Sequence, residues 1–253
     1  MIQSRSRLMR GFSHDVKNPI GAADGFADLL SAGVYGELSA EQLSSVERMR
    51  RCLHGALALI DDLHELARAE TGILSLSSAP MDLAELARTI CEEYHAAARA
   101  AGLSLSVEVA LGMPLVNTDR ERVRQIVSNL LSNAIKYTPS GSVLVRATRR
   151  AAGLDGEAGE WVLVDVVDTG PGIPAHQQDV IFDEFSRLGT GSHRGAGLGL
   201  AISRLLAQAL GGHISVQSEP EQGSTFTLWL PLREPASPVR PPSPAEAPEY
   251  LRT

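Results

Sequence analysis

Aromatic side chains are scarce in this sequence, 4% of its 253 residues, so its core must be packed mainly from aliphatic groups. Cysteine is scarcer still. Cys52 and Cys91 stand far apart in apolar-patterned helical sequence, with no metal-ligand spacing and no redox pair. Both are expected to be reduced core residues of a cytosolic protein. No uninterrupted apolar run approaches the roughly 20 residues of a membrane span. Arg5, Arg7 and Arg10 make the N-terminus basic, but no signal-peptide apolar core follows. An excess of positive charge is also lacking: the net charge of −7 argues against a nucleic-acid partner, which needs a basic footprint. The chain is expected to be cytoplasmic as it stands, with a membrane entering only through a sensor segment ahead of it, if there is one. What remains is ordinary globular composition, 43% hydrophobic and 21% charged, in a chain long enough for two domains.

The chain is organised around Ser13-His14-Asp15-Val16-Lys17-Asn18-Pro19. Met9, Phe12, Val16, Ile20, Ala23, Ala27 and Leu30 follow the three-four spacing of a helix that buries one stripe. His14 lies two residues from both Phe12 and Val16, about 200° around the helix from each. Its imidazole is therefore expected to point away from the seam. Asp15 sits beside it, and Pro19 removes one backbone donor and is expected to kink the helix. An exposed imidazole beside a carboxylate can act as a nucleophile, or it can be a surface histidine near a proline.

Glycines at 33 and 36 permit a turn, and Ser39-Ala40-Glu41-Gln42 reads as a capping box opening a second helix. Its stripe runs through Leu43, Val46, Met49, Leu53, Leu57, Ile60, Leu63 and Ala67. One hairpin of two such helices cannot cover both stripes, so a homodimeric four-helix bundle is expected. Thr71-Gly72 ends the hairpin, and a short linker with strand character follows. A helix capped by Asp82 runs to about Ala101, then comes a strand over Leu103, Leu105, Val107 and Val109. The pattern next predicts a helix from Asp119 through Lys136, strands at 143–148 and 161–167, a helix at 198–210, and strands at 214–218 and 225–230. Such mixing implies an α/β sandwich of sheet against helices, so the class is α+β. The proline-rich stretch after 234 has no periodicity and is expected to be a disordered tail. The expected division is residues 1–72 as the hairpin, 73–81 as linker, 82–233 as the sandwich and 234–253 as tail.

Three stretches carry the remaining chemistry. On the helix ending at Lys136, Val123, Ile126, Val127, Leu130, Leu131 and Ala134 form an apolar arc. Asn129, Asn133 and Lys136 share a neighbouring arc, with Tyr137 slightly further round. Two amides a turn apart with a lysine and a tyrosine can hold a hydrated cation, phosphate and a flat ring; a solvated polar face is the plainer alternative. Asp168 shares strand parity with Val162, Val164 and Val166, so it ends a buried face, where a carboxylate is costly unless a donor reaches it. Gly170 and Gly172 after it allow close approach of a ligand to the backbone. Gly195-Ala196-Gly197-Leu198-Gly199-Leu200 enters a helix whose free amide donors favour phosphate oxygens. No strand precedes it, which rules out the dinucleotide reading. Phe182, Phe185, Arg187 and residues 189–194 look like a lid on an aromatic hinge.

These boxes, in this order over residues 4–232, resemble the sensor histidine kinases of two-component systems. The resemblance implies a dimerisation and phosphotransfer hairpin followed by a Bergerat-fold ATP-binding domain. It makes His14 the phosphoacceptor, Asp15 the group that orients or deprotonates its ring, and Asn18 the amide that positions water for dephosphorylating a partner. It makes Asn133 the Mg2+ ligand, has Asn129 support the triphosphate side, sets Lys136 on phosphate and Tyr137 near adenine, and has Asp168 accept from the adenine amino group. Gly170, Gly172, Gly197, Leu198 and Gly199 become the close-approach loops, and Arg187 a γ-phosphate contact. The implied activity is autophosphorylation by ATP, transfer to an aspartate of a response regulator receiver domain, and dephosphorylation of that regulator. A gyrase-type ATP hydrolase and a non-catalytic nucleotide-binding scaffold are the alternatives. Two positions depart from the usual family pattern: Asp15 stands where glutamate is commonest, and Ala196 where threonine is frequent.

Overall fold

A computed structural model describes residues 2–70, 76–152, 158–186 and 197–232; the side chains of 2–15, 62, 64–70, 152 and 158 lie outside the described set. The chain divides into two compact units, one of Leu76–Gly172 with Leu210–Gln217 and Glu221–Thr253, the other of Met1–Ser75 with Ile173–Ala209 and Ser218–Pro220.

The helical unit begins with α1 (Ile2–Ser31) and α2 (Ala40–Glu70), joined by a turn in which Gly33 and Gly36 take positive φ. α1 runs on through Pro19. The expected capping box forms in both directions: Ser39 Oγ accepts from Gln42 N at 3.3 Å, and Gln42 Oε1 accepts from Ser39 N at 2.8 Å. The two helices are antiparallel and tied by charge. Arg50 reaches Asp24 at 3.2 Å and Asp28 at 2.8 Å, His54 pairs with Asp24 at 3.0 Å, and Lys17 pairs with Asp61. Of the described hairpin residues only Ala27 and Val46 are buried, while Phe26 is 61% and Met49 48% exposed. Cys52 is exposed, against the expectation of a core place, because it falls one residue off the stripe that Leu53 continues. The same unit holds α5 (Gly199–Ala209), which buries Ala201, Ile202, Leu206 and Ala207.

The sheet unit is built on a five-stranded sheet in the order β2-β4-β5-β7-β6, from β2 (Leu103–Val109), β4 (Gly141–Ala152), β5 (Ala158–Asp168), β6 (His213–Glu219) and β7 (Gly223–Pro231). β2 runs parallel to β4, while β4–β5 and β5–β7 are antiparallel. Alternation along the strands sorts their side chains between two faces. Val143, Val145 and Ala147 of β4, Val162, Val164 and Val166 of β5, and Phe226, Leu228 and Leu230 of β7 are all buried.

Two helices cover this sheet. α3 (Leu83–Ala100) starts at Asp82, whose carboxylate accepts from Ala84 N and Glu85 N at 2.8 and 3.0 Å. α4 (Arg120–Tyr137) starts at Asp119, one oxygen capping Arg122 N at 3.1 Å and the other accepting from Ser77 N at 2.8 Å. One buried carboxylate thus caps a helix and anchors the chain that leads into the unit. All six residues of the expected apolar arc on α4 are buried.

Two features exceed the sequence pattern. β4 and β5 are longer than the expected 143–148 and 161–167, because the backbone ladder continues past the apolar alternation, pairing Arg150 with Trp161 and Ala152 with Ala158. Val116–Thr118 is an unforeseen strand, β3, which pairs with β1 (Ala79–Met81) in a separate two-stranded sheet. The aromatic scarcity shows in the core, where the largest fully buried side chains are leucine, isoleucine and valine. Both tryptophans collect on the other face of the sheet: Trp161 meets Trp229 edge-on at 6.4 Å, and His213 stacks on Trp229 at 5.3 Å.

Candidate functional site

In the sheet unit, burial of the α4 arc against the strands leaves its adjacent arc partly open. Asn129, Asn133 and Lys136 are half-buried there, and Tyr137 is 46% exposed at the helix end. Lys136 Nζ donates to Tyr137 Oη at 3.1 Å and lies 4.7 Å from that ring's centroid. The ammonium and the phenol therefore act as one group, a cation with an aromatic face. The Asn133 amide has no hydrogen-bond partner among the described residues.

Asp168 closes the inner face of β5. It is 8% exposed, with Val162, Val164 and Val166 ahead of it on the same side. Burial pushes its carboxyl pKa up, against the lowering effect of backbone donors from Gly170 and Ser224. The Gly170 N–H lies 2.8 Å from Oδ1. Among the described residues no ion pair reaches this carboxylate. Two amide donors satisfy part of it, and its remaining acceptor capacity suits a neutral donor better than water in so enclosed a place.

The loop after Asp168 lies directly on the end of α4. A Cβ on Gly170 would come within 2.7 Å of Asp168 Oδ1 and 3.2 Å of the Tyr137 carbonyl, so only glycine lets the two segments meet. Gly172 has φ +69°, in the region that favours glycine. The sheet unit thus gathers Asn129, Asn133, Lys136, Tyr137, Asp168, Gly170 and Gly172.

Sequence reasoning missed the support beneath Asp168. A Cβ on Gly223 would lie 2.0 Å from the Asp168 carbonyl oxygen, Asp168 pairs with Ser224 across the strands, and Glu221 N donates to the Pro171 carbonyl at 2.7 Å. The glycine just ahead of a strand was the available signal, but its meaning depends on which strand becomes the neighbour. Thr138 was also missed. It caps α4 at 3% exposure, and its hydroxyl, beside Gly170, has no partner among the described residues.

The other expected residues belong to the helical unit. Gly197 takes φ +73°, and a Cβ there would lie 2.5 Å from the Ser186 carbonyl. Phe185 beside it has φ +59°, a rare conformation for a bulky residue. Leu198 is buried, and its carbonyl receives the Ile202 N–H at 2.9 Å as the opening bond at the start of α5, next to Gly199. Asn18 is exposed on α1. The His14 and Asp15 side chains, and the whole of Arg187, lie outside the described residues, as do 153–157 and 189–194. Among the described residues no helix is long and apolar enough to cross a membrane.

Residues 4–72 match the family model of the His Kinase A (phospho-acceptor) domain. Residues 118–234 match that of the histidine kinase-, DNA gyrase B- and HSP90-like ATPases. The circadian input-output histidine kinase CikA of Synechococcus elongatus is 32% identical, over 94% of this chain and 31% of the relative. The adaptive-response sensory kinase SasA of Synechocystis is 31% identical, over 91% of this chain and 60% of the relative. The chain therefore spans 31% to 60% of the length of these curated relatives. Among solved structures, full-length ShkA in complex with AMPPNP aligns with a TM-score of 0.77 at 33% identity, covering 92% of this chain and 47% of that one.

Proposed function

Because this chain belongs to the histidine kinases, we propose that it is the phosphotransfer and ATP-binding part of an ATP-dependent protein-histidine autokinase. Residues 1–72 form the dimerisation and phosphotransfer hairpin, and 82–233 form the ATP-binding domain. The observation that carries the reading is Asp168, a buried acceptor with no cation against it among the described residues, beside the amide and ammonium arc of α4. An exocyclic amino group next to a hydrophobic ring is the donor such a place calls for. In this reading Asp168 accepts from adenine, Tyr137 covers the ring, and Lys136 faces the phosphates. Gly170, Gly172, Gly197, Leu198 and Gly199 allow the backbone close to the nucleotide, and Arg187 reaches the γ-phosphate.

Mg2+ fits the donor set as a companion of the triphosphate. Among the described residues no cluster of three or more His, Cys, Asp or Glu side chains stands ready to cage a metal. One amide oxygen, that of Asn133 with Asn129 nearby, suits an ion that keeps its waters and is held mainly by phosphate. Bound there, the ion would offset phosphate charge.

Phosphoryl transfer depends on positioning and charge neutralisation more than on covalent help. A lone pair of the neutral His14 ring forms the N–P bond as the bond from the γ-phosphorus to the bridging oxygen breaks. The bond electrons remain on the β-phosphate oxygen of ADP, and the ring proton leaves to Asp15 or solvent. The phosphoryl group then passes to an aspartate of a receiver domain. Asn18, exposed four residues beyond His14, supports a phosphatase role in positioning water. The exposed Phe26, Leu29, Leu43 and Met49 support homodimerisation. The test is incubation with γ-labelled ATP and Mg2+. Acid-labile, base-stable label lost in His14→Gln is expected; ATP turnover unchanged by that substitution, with no labelled protein, would favour a hydrolase.

A further inference from the structure

We propose that Thr138 is a positioning residue for Asp168: its buried hydroxyl, set beside Gly170 as the carboxylate is, donates to the ionised carboxylate and so sharpens selection of a 6-aminopurine. The inference rests on the reading of Asp168 as the acceptor of the adenine amino group.

Two threonines meet where the turn after α4 packs on the loop after Asp168. Thr169 makes the clasp between these segments. Its hydroxyl accepts from Ser142 N at 3.0 Å and lies 3.5 and 3.4 Å from the Ser140 and Ser142 carbonyls. Thr138 is placed differently. Its N–H takes the Ala134 carbonyl at 3.1 Å and ends the helix, so the cap does not need the hydroxyl. That hydroxyl belongs to a side chain 3% exposed and has no hydrogen-bond partner among the described residues. A buried hydroxyl left in this state is costly, and one held beside a binding loop calls for a role.

The acceptor it lacks is close by. The point where Gly170 would carry a Cβ lies 3.2 Å from Thr138 Oγ1 and 2.7 Å from Asp168 Oδ1, so the orphan donor and the buried carboxylate border one small space that glycine leaves open. Asp168 has amide donors from Gly170 and Ser224, yet burial still pushes its carboxyl pKa up. An ionised carboxylate offers about four acceptor sites, which leaves room for a hydroxyl as well as a ligand. Donation from Thr138 favours the ionised form. In that form Asp168 only accepts, whereas a protonated carboxyl also donates. The hydroxyl thereby holds Asp168 in the state that selects an amino group at the purine 6-position.

The test compares equilibrium binding of ATP and of purine riboside triphosphate, which lacks the 6-amino group, both with Mg2+. The full chain is measured as wild type, Thr138→Val, Thr138→Ser and Asp168→Asn, with the melting temperature of each. Thr138→Val is expected to narrow the preference for ATP by about three- to tenfold, with affinity for the purine analogue unchanged, and Thr138→Ser to restore the preference. Equal loss of both ligands, a preference untouched in Thr138→Val but abolished in Asp168→Asn, or a serine variant as poor as the valine would overturn the proposal. If Thr138→Val does not fold, Thr138→Ala reads the same ratio; should neither fold, the hydroxyl serves the fold and the proposal falls. A wild type with no preference, or one kept in Asp168→Asn, would overturn the adenine reading and the role of Thr138 with it.

Discussion

The backbone of Gly223 is packed so closely on Asp168 that a Cβ at position 223 would sit 2.0 Å from the Asp168 carbonyl oxygen. Gly223 also has φ +86°, so the start of β7 combines a conformation that favours glycine with space for nothing larger. The next residue, Ser224, supplies one of the two amides that hold the Asp168 carboxylate. The aspartate is thus aimed by a neighbouring strand, as well as by its own loop.

Gly223→Ala must displace one of the two backbones. The expected loss of stability is about 1–3 kcal/mol, with ATP affinity reduced more than that of a control substitution on the outer sheet face. Denaturant unfolding and nucleotide titration measure the two effects. An alanine variant with unchanged ATP affinity would separate Gly223 from the site.

Asp168→Asn keeps the shape and removes the charge. ATP binding is expected to weaken by about 1.5–3 kcal/mol, the range for hydrogen bonds to charged groups. The pH dependence follows from the raised carboxyl pKa. Over the interval between the unfolded and folded values, the folded protein holds the proton more tightly than the unfolded chain. Stability of the nucleotide-free protein therefore falls as pH rises through that interval, and Asp168→Asn removes that part of the slope. ATP affinity of the wild type runs the other way and weakens as pH drops through the folded value, because the accepting form is the ionised one. Unfolding and titration across a pH series read both signs.

The hairpin offers a prediction about assembly. Phe26 and Met49 are large apolar side chains at 61% and 48% exposure on α1 and α2. Sedimentation at micromolar concentration is expected to show a dimer, and Phe26→Asp with Met49→Asp to shift it to monomer. A wild type that sediments as a monomer would contradict the four-helix arrangement.

Ser39→Ala removes one half of a reciprocal cap at the start of α2. A stability loss of about 0.5–2 kcal/mol is expected, with no change in nucleotide affinity, since the cap lies in the helical unit.

Local pattern revealed the parts of the architecture that local pattern governs. The apolar arc of α4, the capping residues Asp82 and Asp119, and the inward parity of Asp168 all follow from periods of 3.6 and 2 read within one element. What stayed hidden depends on partners distant in sequence. Nothing near Val116–Thr118 announces a strand, because its partner Ala79–Met81 lies far back in the chain, next to the point where Ser77 N donates to the Asp119 carboxylate. Gly223 could be seen as a glycine but not as the floor under Asp168. His54 belongs to no motif in the sequence, and its pairing with Asp24 is a contact between two helices that no local period announces. Cys52 shows the limit in the other direction, since a single residue of offset on α2 moves a side chain from core to surface.

The central claim is that ATP phosphorylates one imidazole. The most direct measurement is fragment mass spectrometry of the ATP- and Mg2+-treated protein, handled at alkaline pH so that phosphoramidates survive. A phosphate on the peptide carrying His14, seen as a phosphoramidate by phosphorus NMR of the same sample, is the predicted result. Phosphate on any other residue, or free phosphate released while the His14 peptide stays unmodified, would contradict it.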